Sequence, residues 1–435
     1  MAPTPERDTQ PKVAARLLRA FSLRRNLRML FVPPAGHLGP LDGLRALSIL
    51  WVVVFHAAWY AGRHVPFETY AGLVTSPWML PVWRGDFAVD VFFVLSGFLI
   101  AGMLIDERTA TGRLRLPLFY VRRLVRLWPA LGVGVAVEVL VFDDNSNMVW
   151  ANLLYVSNFV PILQGAMGWT WSLAIEEQFY LLCPWLVGGL ALLRGAARPV
   201  AFGLVVLALG GVAAWVVVDG AFGVHDAEIV INRDFFRWAV GYDHLYSKPW
   251  MRAGPLLMGV GAAYVYRRPG AMAALARRRA LALVGLAVAI GVALVSTHWP
   301  LFAGRPRALE VVYLASYRTT FGAATAYFLL LSVSQHPVGR ALGRVLSSRL
   351  LYPFAQLAYS AYLLNPIVTN LVQEALAPLV WERGVAPMPL FVPFDIVVTF
   401  VAAAVLHLAV ERPFMELRPR GARPAREAGL RARVA

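Results

Sequence analysis

The sequence predicts an all-α protein that crosses a membrane about ten times, with both termini in the cytoplasm. Three observations point there. Of 435 residues, 59% are hydrophobic and only 15% charged, whereas a soluble domain carries about 25% charged residues. A hydrocarbon core of ~30 Å takes about 20 mostly apolar residues of helix. Ten stretches qualify, roughly 43–62, 87–105, 123–142, 170–193, 199–218, 252–267, 280–297, 311–334, 352–376 and 390–411, the sixth being short. Finally, the intervening loops alternate between arginine-rich and arginine-poor, as they do when positive residues stay on the cytoplasmic side.

In chain order, residues 1–40 contain Arg7, Lys12, Arg16, Arg19, Arg24, Arg25 and Arg28 and no apolar h-region. They read as a basic cytoplasmic segment without a cleavable signal peptide, part of it an amphipathic helix on anionic lipid. The second, fourth and eighth segments carry acids, amides or arginine, so they are expected to face a protein interior. Loops 106–122, 267–279 and 340–349 and the turn 194–198 are arginine-rich. Loop 143–169 has no Lys or Arg, and loop 219–251 mixes five acids with three basic residues. An even helix count agrees with this alternation. The membrane domain is expected over 41–415, followed by a disordered basic tail over 416–435. The expected location is a cell membrane, spanned several times, of the bacterial inner or plasma type, with membrane lipids as surroundings.

Composition also excludes classes. A net charge of +16 would suggest nucleic acid in a soluble protein. Positive-inside loops account for it here, so no nucleic-acid partner is expected. A single cysteine, Cys183, allows neither an intramolecular disulfide nor a CxxC site. His225, His244 and His298 fall in external loops without metal-ligand spacing, and no metal is expected. No Walker loop or GxGxxG supports ATP or dinucleotide binding.

Ionisable residues in hydrocarbon are costly and rarely kept without a use. Arg45 and His56 stand eleven residues apart, which puts them on one helix face about 16 Å apart along the axis. Asp90 on the second segment, and Glu176 and Glu177 on the fourth, lie at depths comparable with His56, while Ser96 on the second lies about half-way down. A histidine among carboxylates suggests a general base with an acid to orient it. The plainer alternative is an ion-pair network, which three acids against one base make untidy. The third segment opens YVRRLVRLWP. Arg122, Arg123 and Arg126 are either positive-inside anchors or a phosphate clamp, since guanidinium forks bind phosphate bidentately. Trp78, Trp150, Trp169 and Trp171 read as an interfacial belt.

The stretches LDGLRALSILWVVVFH, VDVFFVLSGFLI, FYVRRLVRLWPAL, WSLAIEEQFYLLCPW and YSAYLLNPI together resemble the acyltransferase-3 membrane family. Arg45-x10-His56 and Arg123-x-x-Arg126 match its two signatures. The resemblance implies transfer of an acyl group, commonly acetyl from acetyl-CoA, to a hydroxyl of a carbohydrate, glycolipid or other exported acceptor. Acyl-CoA would be a co-substrate rather than a permanently bound cofactor. His56 would be the base, with Glu176 or Asp90 fixing its tautomer. Arg45, Arg122, Arg123, Arg126 and Ser96 would hold acyl-CoA, and Glu177, Tyr180 and Asn365 are further candidates. Asn365 stands where the family often has histidine. Residues 242–266 resemble the nose-resistant-to-fluoxetine branch, which keeps an acid aligned with Glu176 only, favouring Glu176 over Glu177. His407, in AAAVLHLAVERPF, superficially resembles the histidine of membrane-bound O-acyltransferases. Its Asn partner is missing, so it reads as a packing residue. A transporter or flippase using the same buried charges is the main rival, a catalytically inactive scaffold the other. Oligomeric state, a homo-oligomer included, is left open.

Overall fold

A computed structural model describes residues 10–34, 36–142, 146–228, 234–268, 270–381 and 386–419. Among them there is no β-strand. Ten helices of at least 19 residues coincide with the ten apolar stretches. They are α1 (Gly39–Ala61), α2 (Ala88–Thr111), α3 (Leu116–Phe142), α4 (Trp171–Leu192), α5 (Ala197–Asp219), α6 (Pro249–Arg267), α7 (Arg279–Thr297), α8 (Arg307–Ser332), α9 (Tyr352–Trp381) and α10 (Pro387–Leu406). Seven of them, α1, α2, α3, α5, α7, α9 and α10, are long and apolar enough to cross a bilayer. The other three carry the interior charges Glu176 and Glu177, Arg252, and Arg318, which lower their mean hydropathy.

Helix ends differ from the apolar stretches where polar residues continue a helix. α3 starts at Leu116, seven residues before its expected start, so Arg122, Arg123 and Arg126 all lie within the helix, about one to three turns from its beginning. Pro117 in its first turn suits a position whose N–H has no helical partner. Beyond α10 the chain continues as one π turn over His407–Glu411 and a short helix, Arg412–Leu417. Of the expected basic tail, residues 420–435 lie outside the described part.

α2 lies in the middle of the bundle, packed chiefly on α6 and α1, while α9 packs on both α1 and α10. The α2–α6 contact needs two glycines. A Cβ added at Gly97 would stand 2.1 Å from the carbonyl oxygen of Leu256, and one at Gly259 would stand 2.2 Å from that of Val94. Small residues permit such backbone approach between membrane helices. At the periphery, Leu204, Leu207 and Trp215 of α5, Val284 and Val288 of α7, and Val397, Val401 and Val405 of α10 are exposed. Three apolar faces of this kind suit hydrocarbon rather than water as solvent.

The N-terminal basic segment forms two short helices, Gln10–Ala20 and Leu23–Phe31. Arg16 donates to the carbonyls of Leu417 and Arg418 at 2.9 and 3.0 Å, and Arg25 pairs with Glu416 at 3.3 Å. Leu18, Phe21, Leu23 and Phe31 stay exposed. Exposed apolar and basic side chains thus stand side by side on these two helices.

Candidate active site

Two cavities meet inside the bundle. One, of about 190 Å³, has His56 in its wall together with Trp59, Asp86, Trp171, Tyr246 and Tyr362. The other, of about 380 Å³, is lined by Arg45, Ser96, Arg123, Arg126, Glu176 and Tyr180. Val89 and Tyr362 line both, so they form the partition between them. α1 connects the two: Arg45, near its start, reaches the arginine cavity, and His56, three turns further on, reaches the histidine cavity.

His56 is buried on the inner face of α1. Its Nδ1 lies 2.5 Å from Oδ1 of Asn365 on α9. The amide Nδ2 of Asn365 donates to the hydroxyls of Thr369 at 3.1 Å and Thr399 at 3.4 Å, which turns the amide oxygen towards the imidazole. An amide oxygen only accepts, so the proton sits on Nδ1. Nε2, which has no hydrogen-bond partner among the described residues, presents its lone pair to the cavity. This is the tautomer a general base needs.

The carboxylates expected beside His56 are elsewhere. Asp90 accepts from Arg252 at 3.0 and 3.1 Å and from Arg318 at 2.8 Å. Arg318 also pairs with Asp86, which Arg84 holds at 2.9 Å, and Arg84 reaches Glu228 at 3.2 Å. All of these groups are buried. The Arg252 guanidinium lies 4.6 and 4.2 Å from the ring centroids of Trp171 and Tyr246, and that of Arg318 lies 4.0 Å from Phe87. Asp90 is therefore tied to two arginines instead of orienting His56. A buried carboxylate is costly unless paired, and Arg252 and Arg318 are the cations within reach. Along the sequence three acids stand against one histidine, because these partners come from helices far along the chain. The visible signal was an arginine inside each of two apolar stretches.

Glu176 faces the arginine cavity. Tyr180 donates to its Oε1, and Ser96 shares a 2.7 Å hydrogen bond with the same Tyr180 hydroxyl. Three of the candidate residues thus form one chain, on the far side of the partition from His56. Glu177 has a buried Oε1 without a hydrogen-bond partner among the described residues.

At the arginine end, Arg45 pairs with Asp42 at 3.0 Å. Arg123 has its guanidinium 5.8 Å from the Phe119 centroid and 5.6 Å from that of Tyr180. The buried Nε of Arg126 has no partner among the described residues. Arg122 departs from expectation: it is absent from the cavity wall, and its Nε donates to the Pro419 carbonyl at 2.8 Å. Just beyond the helices, burial and the like charges of Arg126, Arg123 and Arg122 pull the pKa of Arg418 down to about 10. Crowded cations with open donors favour uptake of an anion. His407, read from sequence as a packing residue, instead lines this cavity with Glu411 and hydrogen-bonds to it.

The O-acetyltransferase OatA of Staphylococcus aureus is 33% identical over 171 residues, covering 35% of this chain and 25% of its own. Nose resistant to fluoxetine protein 6 of Caenorhabditis elegans is 24% identical over 374 residues, covering 76% of this chain and 45% of its own. The chain thus spans a quarter to a half of the length of these relatives. No solved structure matches. The family model described as an acyltransferase domain matches residues 39–408, from the start of α1 to the π turn, and the chain belongs to that acyltransferase-3 family.

Proposed function

We propose that the protein is a multi-pass membrane O-acyltransferase. It moves an acyl group, acetyl in the simplest case, from cytosolic acyl-CoA to a hydroxyl of a carbohydrate, glycolipid or other exported acceptor. The observation that carries this reading is the pair of abutting cavities, one arginine-lined and one histidine-lined. In this reading all ten long helices cross the membrane, and both termini and the arginine cavity face the cytosol. Arg45, Arg123 and Arg126 take the CoA phosphates through charge-assisted hydrogen bonds. The thioester reaches the partition at Val89 and Tyr362, and the acceptor enters the histidine cavity from the other side. His56 Nε2 removes the hydroxyl proton as oxygen attacks the thioester carbonyl. Asn365 holds the imidazole tautomer, accepting from Nδ1 whether the ring is neutral or charged. The Ser96–Tyr180–Glu176 chain borders the pantetheine route and positions donor groups there.

The test is acyl-CoA affinity by calorimetry for the wild type and for Arg123→Gln/Arg126→Gln in one detergent. Hydrogen bonds to charged groups contribute about 1.5–3 kcal/mol each, so the double variant is expected to bind at least tenfold more weakly, more so at low salt. Unchanged affinity in a folded double variant would leave these arginines as topology anchors. Movement of substrate across vesicles without CoA would favour a transporter.

A further inference from the structure

We propose that His407 is a second catalytic residue, the acid that protonates the donor's sulfur as it leaves; this rests on the acyl-CoA reading above. The observation is a built glutamate–histidine pair in the wall of the arginine cavity. His407 and Glu411 are both buried and both line it. His407 Nδ1 lies 2.8 Å from Glu411 Oε2, which also accepts from Ser360 Oγ at 2.8 Å. Nε2 of His407 has no hydrogen-bond partner among the described residues, so its free edge belongs to the cavity. The backbone over His407–Glu411 is a single π turn, a distortion that recurs at functional sites. A carboxylate fixed by a hydroxyl, holding one ring nitrogen and leaving the other open, is the arrangement by which a carboxylate orients a catalytic imidazole and stabilises its charged form.

The position of the pair matches a task that His56 is poorly placed to perform. Ser360 precedes Asn365 by five residues on α9, about 7.5 Å along the helix, towards the arginine end. His407 thus lines the cavity that holds the arginines, on the other side of the Val89–Tyr362 partition from His56. In a donor held by its phosphates at the arginines, the sulfur lies on the arginine side of the acyl carbon. The acceptor hydroxyl approaches from the His56 side. The step balances as follows. The acceptor oxygen bonds to the acyl carbon while its proton passes to His56 Nε2. The C–S bond breaks, its electron pair stays on sulfur, and the proton of His407 Nε2 moves to that sulfur. The products are the ester and CoA thiol, with His56 protonated and His407 neutral. Proton exchange with solvent through the two cavities resets both. One histidine per cavity divides the two proton transfers that the Val89–Tyr362 partition separates.

The test compares acetyl-CoA with acetyl-seleno-CoA, an isosteric donor whose selenolate departs without needing a proton. Transfer of labelled acetyl is measured with the full-length protein, a detergent extract of the source cell's envelope serving as acceptor. His407→Gln is expected to transfer from acetyl-CoA ~10²–10⁴-fold more slowly than wild type, the range typical of a lost acid–base group. With the selenium donor that loss shrinks by at least tenfold. His56→Gln, which removes the base on the other side, loses the same factor with either donor. If His407→Gln loses equally with both donors, or loses nothing, the acid role is overturned. Should His407→Gln fail to fold, Glu411→Gln, which keeps the Ser360 contact, gives the same reading: a smaller loss that again shrinks with selenium, or one that does not and so rejects the role. A wild type that transfers from neither donor overturns the acyl-CoA reading, and this proposal with it.

Discussion

At the scale of single residues, buried charge is sorted into two kinds. Asp90, Asp86, Arg84, Arg252 and Arg318 are buried and ion-paired with one another, although Asp86 also borders the histidine cavity and Arg252 Nη2 and Arg318 Nε have no hydrogen-bond partner among the described residues. His56, Arg45, Arg123 and Arg126 keep a face towards a cavity. The first kind is expected to matter for stability, the second for turnover. Removing one partner from a buried ion pair leaves the others uncompensated, at a cost of about 3–5 kcal/mol. Asp90→Ala is therefore expected to lower the detergent melting temperature sharply, whereas His56→Ala keeps the wild-type melt and acyl-CoA affinity. The histidine variant instead loses ~10²–10⁴-fold in transfer rate. Near-normal turnover in His56→Ala would remove it as the base, and an unshifted melt in Asp90→Ala would remove the anchor role.

Packing between elements brings those residues together. α2 supplies Asp90 and Ser96 to the interior only because its backbone approaches α6 across Gly97 and Gly259. Overpacking a tight core costs about 1–3 kcal/mol and occasionally more, and here the obstacle is backbone, which yields little. Gly97→Val is expected to lower both the melt and the yield of folded protein. Gly210→Val, on an α5 face with nothing within 4 Å of the added Cβ, serves as the matched control and is expected to be silent. Equal melts for the two variants would mean that the α2–α6 approach is not needed. α10 shows a second element-scale effect. Its π turn over His407–Glu411 keeps both side chains on one cavity, and hydropathy along the chain carries no sign of it.

At the scale of the whole molecule, the charge pattern and the cavities point the same way. Arginine-rich loops lie at the end of the bundle where the arginine cavity is found, and loop 143–169, without Lys or Arg, joins α3 to α4 at the other. A reporter fused after residue 435 and one inserted near residue 145 are expected to report opposite sides, cytosolic and external respectively. The same side for both would mean that the number of crossings between them is even rather than the seven of α4 to α10, and the direction of donor entry would need to be redrawn.

The sequence by itself determined the helices and the candidate chemistry, because both are local. Twenty apolar residues need a helix to satisfy their backbone in lipid, so the ten stretches were legible without any tertiary information. Spacing within one helix likewise put Arg45 and His56 on one face. Only the tertiary structure decided which charges pair. Asp90 met Arg252 and Arg318 rather than His56, and Asn365 took the orienting place expected of a carboxylate. Tyr180 closed a chain between Ser96 and Glu176, and His407 met Glu411 at a cavity wall. Each of these, apart from the π-turn pair and the Tyr180–Glu176 bond within α4, joins different helices, and residue spacing says nothing about which helix faces which. That choice is made by close packing, at glycines such as Gly97 and Gly259, and by the cost of leaving a buried charge alone.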